Sequence, residues 1–227
     1  MMQTADLAAA PLTQNVPRKD VVEFIDPAFM EFGLAILMRK RDKSSEIRNM
    51  ESLGKQTKVK FACVRGGATA NFFLKMKHSK GGEYTQQWNA MENRLVGSIE
   101  EGVRKVREST DSHPFAFIGE HPTLDYHASR EPCDLVTVLS GIDREDYKGE
   151  YHLAFRKAFD AAKRTKLAEN LQAMKDSGRL DQLYDKWWKE RDQCSRSSTT
   201  SPAVALASGA AFLVPIVVAV LFRGSGE

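Results

Sequence analysis

The sequence predicts an α/β fold followed by one membrane helix, and three observations lead to that expectation. Apolar runs of strand length alternate with stretches of helical spacing, a pattern typical of a sheet covered by helices. The chain has 227 residues, of which 42% are hydrophobic and 28% charged, enough for one sizeable core or two small lobes. Residues 203–222 carry no charge, and about twenty such residues span the hydrocarbon core of a bilayer.

The first strands are predicted ahead of a polar break. The turn-like PRKD precedes VVEF (residues 21–24), a short β-rich run, and FGLAILMRK (residues 32–40) is a second apolar run of strand length. Both favour strands. The polar RKRDKSS (residues 39–45) then predicts a linker.

Beyond the break, the runs KFACV (residues 60–64), FAFIG (115–119) and LVTVLS (135–140) predict three further strands. GGAT leads into a predicted helix with the sequence NFFLKMKH, and Ser98 and Glu101 have the spacing of a capping box before another.

Near the end of this region, residues 159–177 have leucines at helical spacing, and Gly178 is placed to stop that helix. Leu180, Leu183 and Trp187 continue a second amphipathic helix.

Charge and motif content exclude several classes of function. The net charge of +3 is too small to indicate nucleic-acid binding, and basic residues 104–107 alternate with acids as on a solvated helix face. The five histidines lack metal-ligand spacing, and the sequence contains no C-x-x-C, G-x-S-x-G or P-loop. His121 beside Glu120 reads as a surface pair. We therefore expect neither an enzyme nor a metal or organic cofactor.

Three features could bind a small anionic or zwitterionic ligand. Arg18 offers a planar fork for a carboxylate, although beside Lys19 it could be an ordinary loop arginine. The glycine-rich GGAT opens a helix whose first N–H groups and dipole favour an anion, although an ordinary capped helix has the same pattern. Glu120 ends an apolar strand, where it could accept from an ammonium group or simply face water.

These motifs, in this order, resemble the ligand-binding clamshell of ionotropic glutamate receptors. Residues 10–40 and 51–194 are similar to two segments that the pore separates in that family, whereas only RDKSSEIRNM lies between them here. The resemblance implies an end of the first ligand-binding segment (1–43), a second segment (44–194), a linker (195–202) and a transmembrane helix (203–222). The apolar tail could alternatively be a buried core helix.

The resemblance also implies roles for residues on both sides of the break. In the family's P-L-T…R pattern, the Pro11 carbonyl would accept from the ligand ammonium, while Thr13 and Arg18 would hold its α-carboxylate. Thr69 would bind the distal carboxylate of glutamate at the helix start, where Ala68 matches kainate-type receptors. Glu120 would pair with the ammonium.

The family's disulfide is matched by Cys133 and Cys194, each in a similar local context. Closing that loop of roughly 60 residues would stabilise the fold by about 4 kcal/mol, and it would stay reduced in a cytosol. Cys63 is then a buried free thiol. Ala158 and Phe159 replace the small turn residues expected nearby, so the hinge could differ.

As a whole, the resemblance implies a two-lobed clamshell of the periplasmic-binding-protein type, with its first lobe truncated, ahead of the membrane helix. We expect a receptor subunit-like protein that binds glutamate or a related amino acid, associates with other subunits (a tetramer in the family), and lacks the pore. Two alternatives remain open: a membrane-anchored amino-acid-binding module, and a non-conducting assembly or regulatory fragment.

The predicted topology conflicts with that family. Residues 1–14 lack the basic start and apolar core of a signal peptide, and basic residues upstream of the tail outnumber Arg223 downstream, which favours a cytosolic N-terminal domain. In that family, the clamshell lies on the extracellular side of the postsynaptic plasma membrane. We therefore expect an upstream signal and the missing part of the first lobe to precede this sequence.

Overall fold

The computed structural model describes residues 5–42, 46–140 and 147–195, which form two compact units. Unit 1 contains residues 5–31 and 149–186, and unit 2 contains the described residues of 32–148 and 187–195. Each unit therefore draws on both sequence blocks. The predicted membrane segment, residues 203–222, lies outside the described residues, and no helix within the described ranges is both long and apolar enough to cross a bilayer.

Unit 1 is built on a small antiparallel sheet. Its elements in chain order are β1 (Leu7–Leu12), α1 (Val16–Lys19), β2 (Val22–Phe24), β7 (Lys148–Arg156), α7 (Ala161–Asp176) and α8 (Arg179–Tyr184). Both β1 and β2 pair with β7, which places Leu12 opposite His152. The sequence predicted β2 and α7 but not β1.

The core of unit 1 explains the unusual turn after β7. Ile25, Phe155 and Leu171 are buried together, and Phe159 packs against this group. The Phe155 and Phe159 rings stack with centroids 4.8 Å apart, so the bulky residue at the turn fills the core. Gly178 follows α7 with φ +70°, as its predicted role as a helix stop requires.

Unit 2 is a sheet with helices on both faces. In chain order its elements are β3 (Met30–Arg39), whose first two residues belong to unit 1, α2 (Met50–Lys55), β4 (Lys60–Ala62), α3 (Ala68–Ser79), α4 (Glu83–Met91), α5 (Ile99–Glu108), β5 (Phe115–Glu120), α6 (His121–Ala128) and β6 (Leu135–Ser140). The strand order is β6-β3-β5-β4. All four strands match apolar runs in the sequence.

The strand β3 is central because it pairs antiparallel with β5 on one side and β6 on the other. Leu34, Ile36 and Met38 join the core cluster that contains Phe73 of α3. The alternate residues Ala35 and Leu37 join a second cluster with α5 and α6. Burial on both faces explains why the run is continuously apolar.

The linker predicted from Arg39 begins later than expected. Arg39 is the last residue of β3 and only 4% exposed, and residues 40–42 form a turn of 3₁₀ helix. Its guanidinium pairs with Asp42, with Nη2 to Oδ1 at 2.7 Å, and donates to the Ser109 carbonyl. After the undescribed residues 43–45, reciprocal bonds between Asn49 and Ser52 cap the start of α2.

The end of the described chain is fastened to unit 2. Trp188 Nε1 donates to the Pro122 carbonyl at 2.6 Å, and Gln193 N donates to the Ser129 carbonyl at 2.9 Å. The disulfide joins Cys133 and Cys194, whose Cα atoms are 5.4 Å apart. The pairing implied by the resemblance is therefore confirmed.

Candidate ligand-binding site

The connection between β1 and α1 holds the Arg18 side chain in one place. Asn15 caps α1, and its side chain accepts from Arg18 N at 2.9 Å. Arg18 Nη1 donates to both the Thr13 carbonyl and the Thr13 hydroxyl, at 2.8 and 2.9 Å. The Nη1 arm of the guanidinium is thus held by Thr13, two residues before the helix cap Asn15.

The rest of the Arg18 fork is available to a ligand. Within the described ranges, no hydrogen bond or ion pair engages Arg18 Nε or Nη2. Two parallel donors of this kind are suited to a carboxylate. Pro11 lies in the irregular stretch of β1 between the Ala8 and Leu12 pairs and is exposed, so Pro11, Thr13 and Arg18 lie within one short segment.

In unit 2, a turn that contains Gly66 and Gly67 connects β4 to α3. Gly66 has φ +67°, a left-handed conformation that glycine adopts without a steric penalty. Gly67 N donates to the Val64 carbonyl at 3.2 Å, and a Cβ on Gly67 would lie 3.3 Å from that same oxygen. The tight turn therefore favours glycine at both positions.

The N-terminus of α3 has the backbone arrangement that favours an anion. Gly67 is its N-cap, and no side-chain hydrogen bond caps it, so the first N–H groups have no partner within the helix. Ala68 and Thr69 form its first turn. Thr69 is only 8% exposed, and its hydroxyl forms no hydrogen bond with the described part of the chain.

Glu120 emerges at the same edge of the sheet as the α3 N-terminus. The strands β4 and β5 are parallel neighbours, with Ala62 opposite Phe117, so their carboxyl ends lie side by side. Ligands of α/β sheets characteristically bind at this edge. The six predicted residues therefore form two groups. One group, in unit 1, contains Pro11, Thr13 and Arg18, and the other, in unit 2, contains Ala68, Thr69 and Glu120.

His121 fixes the position of Glu120 in a way the sequence did not reveal. Its Nδ1 accepts from Gly33 N on β3 at 2.9 Å, which ties the start of α6 to the neighbouring strand. Burial lowers the pKa of His121, in keeping with a neutral ring that accepts this bond. A surface pair with Glu120 had been predicted, whereas the ring is a structural acceptor.

Two further positions of the site carry weak sequence signals. Asn15 lies three residues before the Arg18 amide that it caps, which is recognisable as a capping pattern only once a helix is expected there. Gly66 was recognised as part of the turn, but its left-handed backbone was not. No group of three His, Cys, Asp or Glu within the described ranges could hold a metal ion.

A planar guanidinium and an uncapped helix N-terminus are each, taken separately, groups that favour an anion. The chain belongs to the bacterial extracellular solute-binding proteins, family 3, whose family model matches residues 2–190. Membership of a binding-protein family also confirms that the chain is not an enzyme.

Individual relatives are glutamate receptors. The chain is 28% identical to Glutamate receptor 3 of Mus musculus over 173 residues, covering 74% of this chain and 18% of the receptor. Identity to Glutamate receptor 3 of Homo sapiens is 26%, covering 80% and 20%. The chain thus spans about a fifth of the receptors' length, and its resemblance to the ligand-binding region of this receptor family is confirmed.

The fold is also similar to a solved structure, the Drosophila muscle GluRIIB complex with glutamate. The TM-score is 0.67 at 28% identity, covering 82% of this chain and 69% of that one. The α/β class predicted from the sequence is confirmed by this match and by the strands and helices described above.

Proposed function

We propose that the chain binds glutamate or a closely related amino acid as the ligand-sensing part of a receptor-like membrane protein. The observation that carries the proposal is the Arg18 guanidinium, fixed through Nη1 to Thr13 with its other donors available. A relative of the same fold was solved in complex with glutamate.

Each group suits one part of such a ligand. Arg18 would pair with the α-carboxylate through parallel hydrogen bonds, assisted by Thr13. Glu120 and the Pro11 carbonyl would accept from the ammonium. The N–H groups at Ala68 and Thr69, with the Thr69 hydroxyl, would hold a distal carboxylate, because a helix N-terminus favours negative charge.

We propose that this chain senses rather than conducts. Residues 41–50 number about half of the roughly twenty needed to cross a bilayer once, so a pore segment does not fit between the two blocks. The proposed organisation remains two ligand-binding segments (1–43 and 44–194), a linker (195–202) and a membrane helix (203–222). Membrane attachment, an extracellular binding region and assembly with other receptor subunits belong to this proposal.

Calorimetry with L-glutamate on the full chain in detergent tests the function. Arg18→Ala should weaken binding at least a hundredfold, because removing one partner of a buried charge pair costs about 3–5 kcal/mol. Lys19→Ala is the matched control, since Lys19 is an exposed cation on the same turn, and its affinity should equal that of the wild type.

Two results would count against the proposal. Unchanged affinity in Arg18→Ala would remove Arg18 from the site. A folded wild-type chain that binds neither glutamate nor other amino acids would instead favour the non-conducting assembly fragment.

A further inference from the structure

Arg65 is an exposed arginine in the turn that leads into α3. Gly67 N donates to the Val64 carbonyl at 3.2 Å, so Arg65 and Gly66 are the two central residues of a β-turn. The backbone of Arg65 is itself held, because its N–H donates to the Val96 carbonyl at 2.8 Å. Two residues span at most about 7 Å, so the Arg65 backbone lies close to the helix cap Gly67.

The Arg65 guanidinium contacts no acid in the part of the chain that the structure describes. Its side-chain hydrogen bond there runs from Nη2 to the Leu95 carbonyl at 3.2 Å, and neither Nε nor Nη1 bonds to those residues. Arg104 on α5 differs, because its Nε lies 3.7 Å from Glu108 Oε1. Arg65 therefore has a positive charge that no described carboxylate balances by contact.

The acids that begin α5, shortly after Val96, are engaged with other groups. Glu101 Oε2 accepts from Gly97 N at 2.7 Å, and Glu101 Oε1 lies 3.3 Å from Lys105 Nζ. A backbone N–H at the same helix start holds the Glu100 carboxylate and lowers its pKa. Both carboxylates thus serve the start of α5 instead of pairing with an arginine of the neighbouring turn.

The start of α3 also has a buried group without a protein partner. Thr69 is 8% exposed, and its hydroxyl forms no hydrogen bond with the residues that the structure describes, whereas buried polar groups ordinarily have a partner. No side chain caps this helix either. The Ala68 and Thr69 N–H groups and the Thr69 hydroxyl form what we call the α3 subsite, and Arg65 adjoins it.

These groups differ in the ligands that they can distinguish. Helix N–H groups and a hydroxyl donate to a carboxylate, but they also donate to the carbonyl oxygen of a neutral amide. The helix dipole adds only about half a charge. A guanidinium adds a full positive charge, which attracts a carboxylate and contributes little to the binding of an amide. The charge of Arg65 therefore bears on selectivity.

We propose that Arg65 is a specificity-determining residue of the α3 subsite, and that its charge makes the site prefer amino acids with an acidic far end over their neutral amides. The inference rests on the proposed binding of an amino acid whose far end lies at Ala68 and Thr69. Because Arg65 is exposed, its effect is moderate: a unit charge about 7 Å away in water changes the affinity for an anion about threefold.

Calorimetry with L-glutamate and L-glutamine tests the proposal on the full chain in detergent, at low ionic strength. Arg65→Gln should weaken glutamate binding about threefold and leave glutamine binding unchanged. Arg65→Glu reverses the charge and should weaken glutamate binding about tenfold, whereas Arg65→Lys should keep the wild-type selectivity. The matched control is Arg104→Gln, because Glu108 balances that exposed arginine of the same unit, and it should also keep the wild-type selectivity.

A second measurement needs no amino acid. Sodium sulfate is titrated at constant ionic strength into the full chain labelled with ¹⁵N-threonine, and the Thr69 amide signal is assigned by its loss in Thr69→Ser. Sulfate should shift this signal, because a helix N-terminus binds oxyanions. The midpoint should lie at a higher sulfate concentration in Arg65→Gln than in the wild type.

The outcomes separate failure of this inference from failure of the proposed function. An unchanged ratio of glutamate to glutamine affinity in Arg65→Gln and Arg65→Glu would overturn the inference. A Thr69 signal that sulfate does not shift, or a midpoint that Arg65→Gln leaves unchanged, would also overturn it. Arg65-dependent sulfate binding in a wild-type chain that binds neither amino acid would reject the proposed function while supporting the role of Arg65 at this subsite.

Discussion

Arg39 and Asp42 form an ion pair where the two sequence blocks meet. The Arg39 side chain is 5% exposed and that of Asp42 is 12% exposed, and the hydrogen bonds that Arg39 donates to the Asp42 carboxylate raise the pKa of Arg39. The Ser109 carbonyl accepts a further bond from the same guanidinium. The end of β3 is thereby attached to the loop after α5, so residues 39–42, the first part of the junction, are a structured part of unit 2.

Replacing Arg39 should destabilise the fold strongly. In Arg39→Met the carboxylate of Asp42 loses its partner while it remains mostly buried, which costs about 3–5 kcal/mol. Urea unfolding at pH 7 would measure this loss.

The matched control for Arg39 is the exposed acid in the same network. Asp111 lies 3.1 Å from Arg39 Nη2 with its side chain 83% exposed. Asp111→Asn should change the free energy of unfolding by less than about 1 kcal/mol, as exposed ion pairs do. Equal losses in the two variants would contradict the assignment of the stability to the buried pair.

Removing the disulfide should cost about 4 kcal/mol in the chain-entropy model, because the bridge closes a sequence separation of 61 residues. Cys133→Ala with Cys194→Ala is the variant, and its free energy of unfolding should match that of the reduced wild type. A difference below about 1 kcal/mol would show that the hydrogen bonds of Trp188 and Gln193 hold this segment unaided.

Acidification should destabilise unit 2 through His121. Burial lowers its pKa in the folded state, so the unfolded chain binds the proton more readily, and stability rises with pH. The contribution is complete above the unfolded value of about 6.5 and is lost as the pH falls below it.

The test compares pH 7 and pH 5 for the wild type and for His121→Asn, which keeps an acceptor for Gly33 N without titrating. The variant should lose less free energy of unfolding over that range. A remaining slope is expected from His127, whose pKa burial also lowers. Identical slopes in the two proteins would contradict the role of His121.

Cys63 should resist thiol-specific reagents in the native protein. It is fully buried, and burial raises its pKa to about 12, so roughly one molecule in ten thousand carries the reactive thiolate at pH 8. Ellman's reagent at pH 8 should find no fast-reacting thiol until denaturant is added, and then one per chain. Rapid labelling without denaturant would show that unit 2 opens around β4.

The fold was predictable where apolar runs are strong and local. The strands β3 to β6 and the helices α3 and α7 were recognised in the sequence because the spacing of their apolar residues predicts them. The strand β1 was missed because LAAAPL contains little that favours a strand, and only its pairing with β7 makes it one. The polar helices α2 and α4 were missed for a similar reason.

The six residues of the candidate site came from motif resemblance, and local structure adds how they are held. Thr13 and Arg18 are near in sequence, so their pairing could be suspected. The contact between Gln14 and His152 joins residues 138 positions apart, and that between Gly33 and His121 joins residues 88 apart. No periodicity encodes such distances, since they follow from how the strands pair.

The junction after β3 is a position where additional sequence could be inserted at little cost in stability. Arg39 is held by its ion pair and by the Ser109 carbonyl, while Asn49 and Ser52 independently start α2. Both flanks are thus secured by their own contacts, and the cost of closing a longer loop grows only slowly with its length. A domain inserted at residues 43–45 would therefore join two flanks whose local structure does not depend on it.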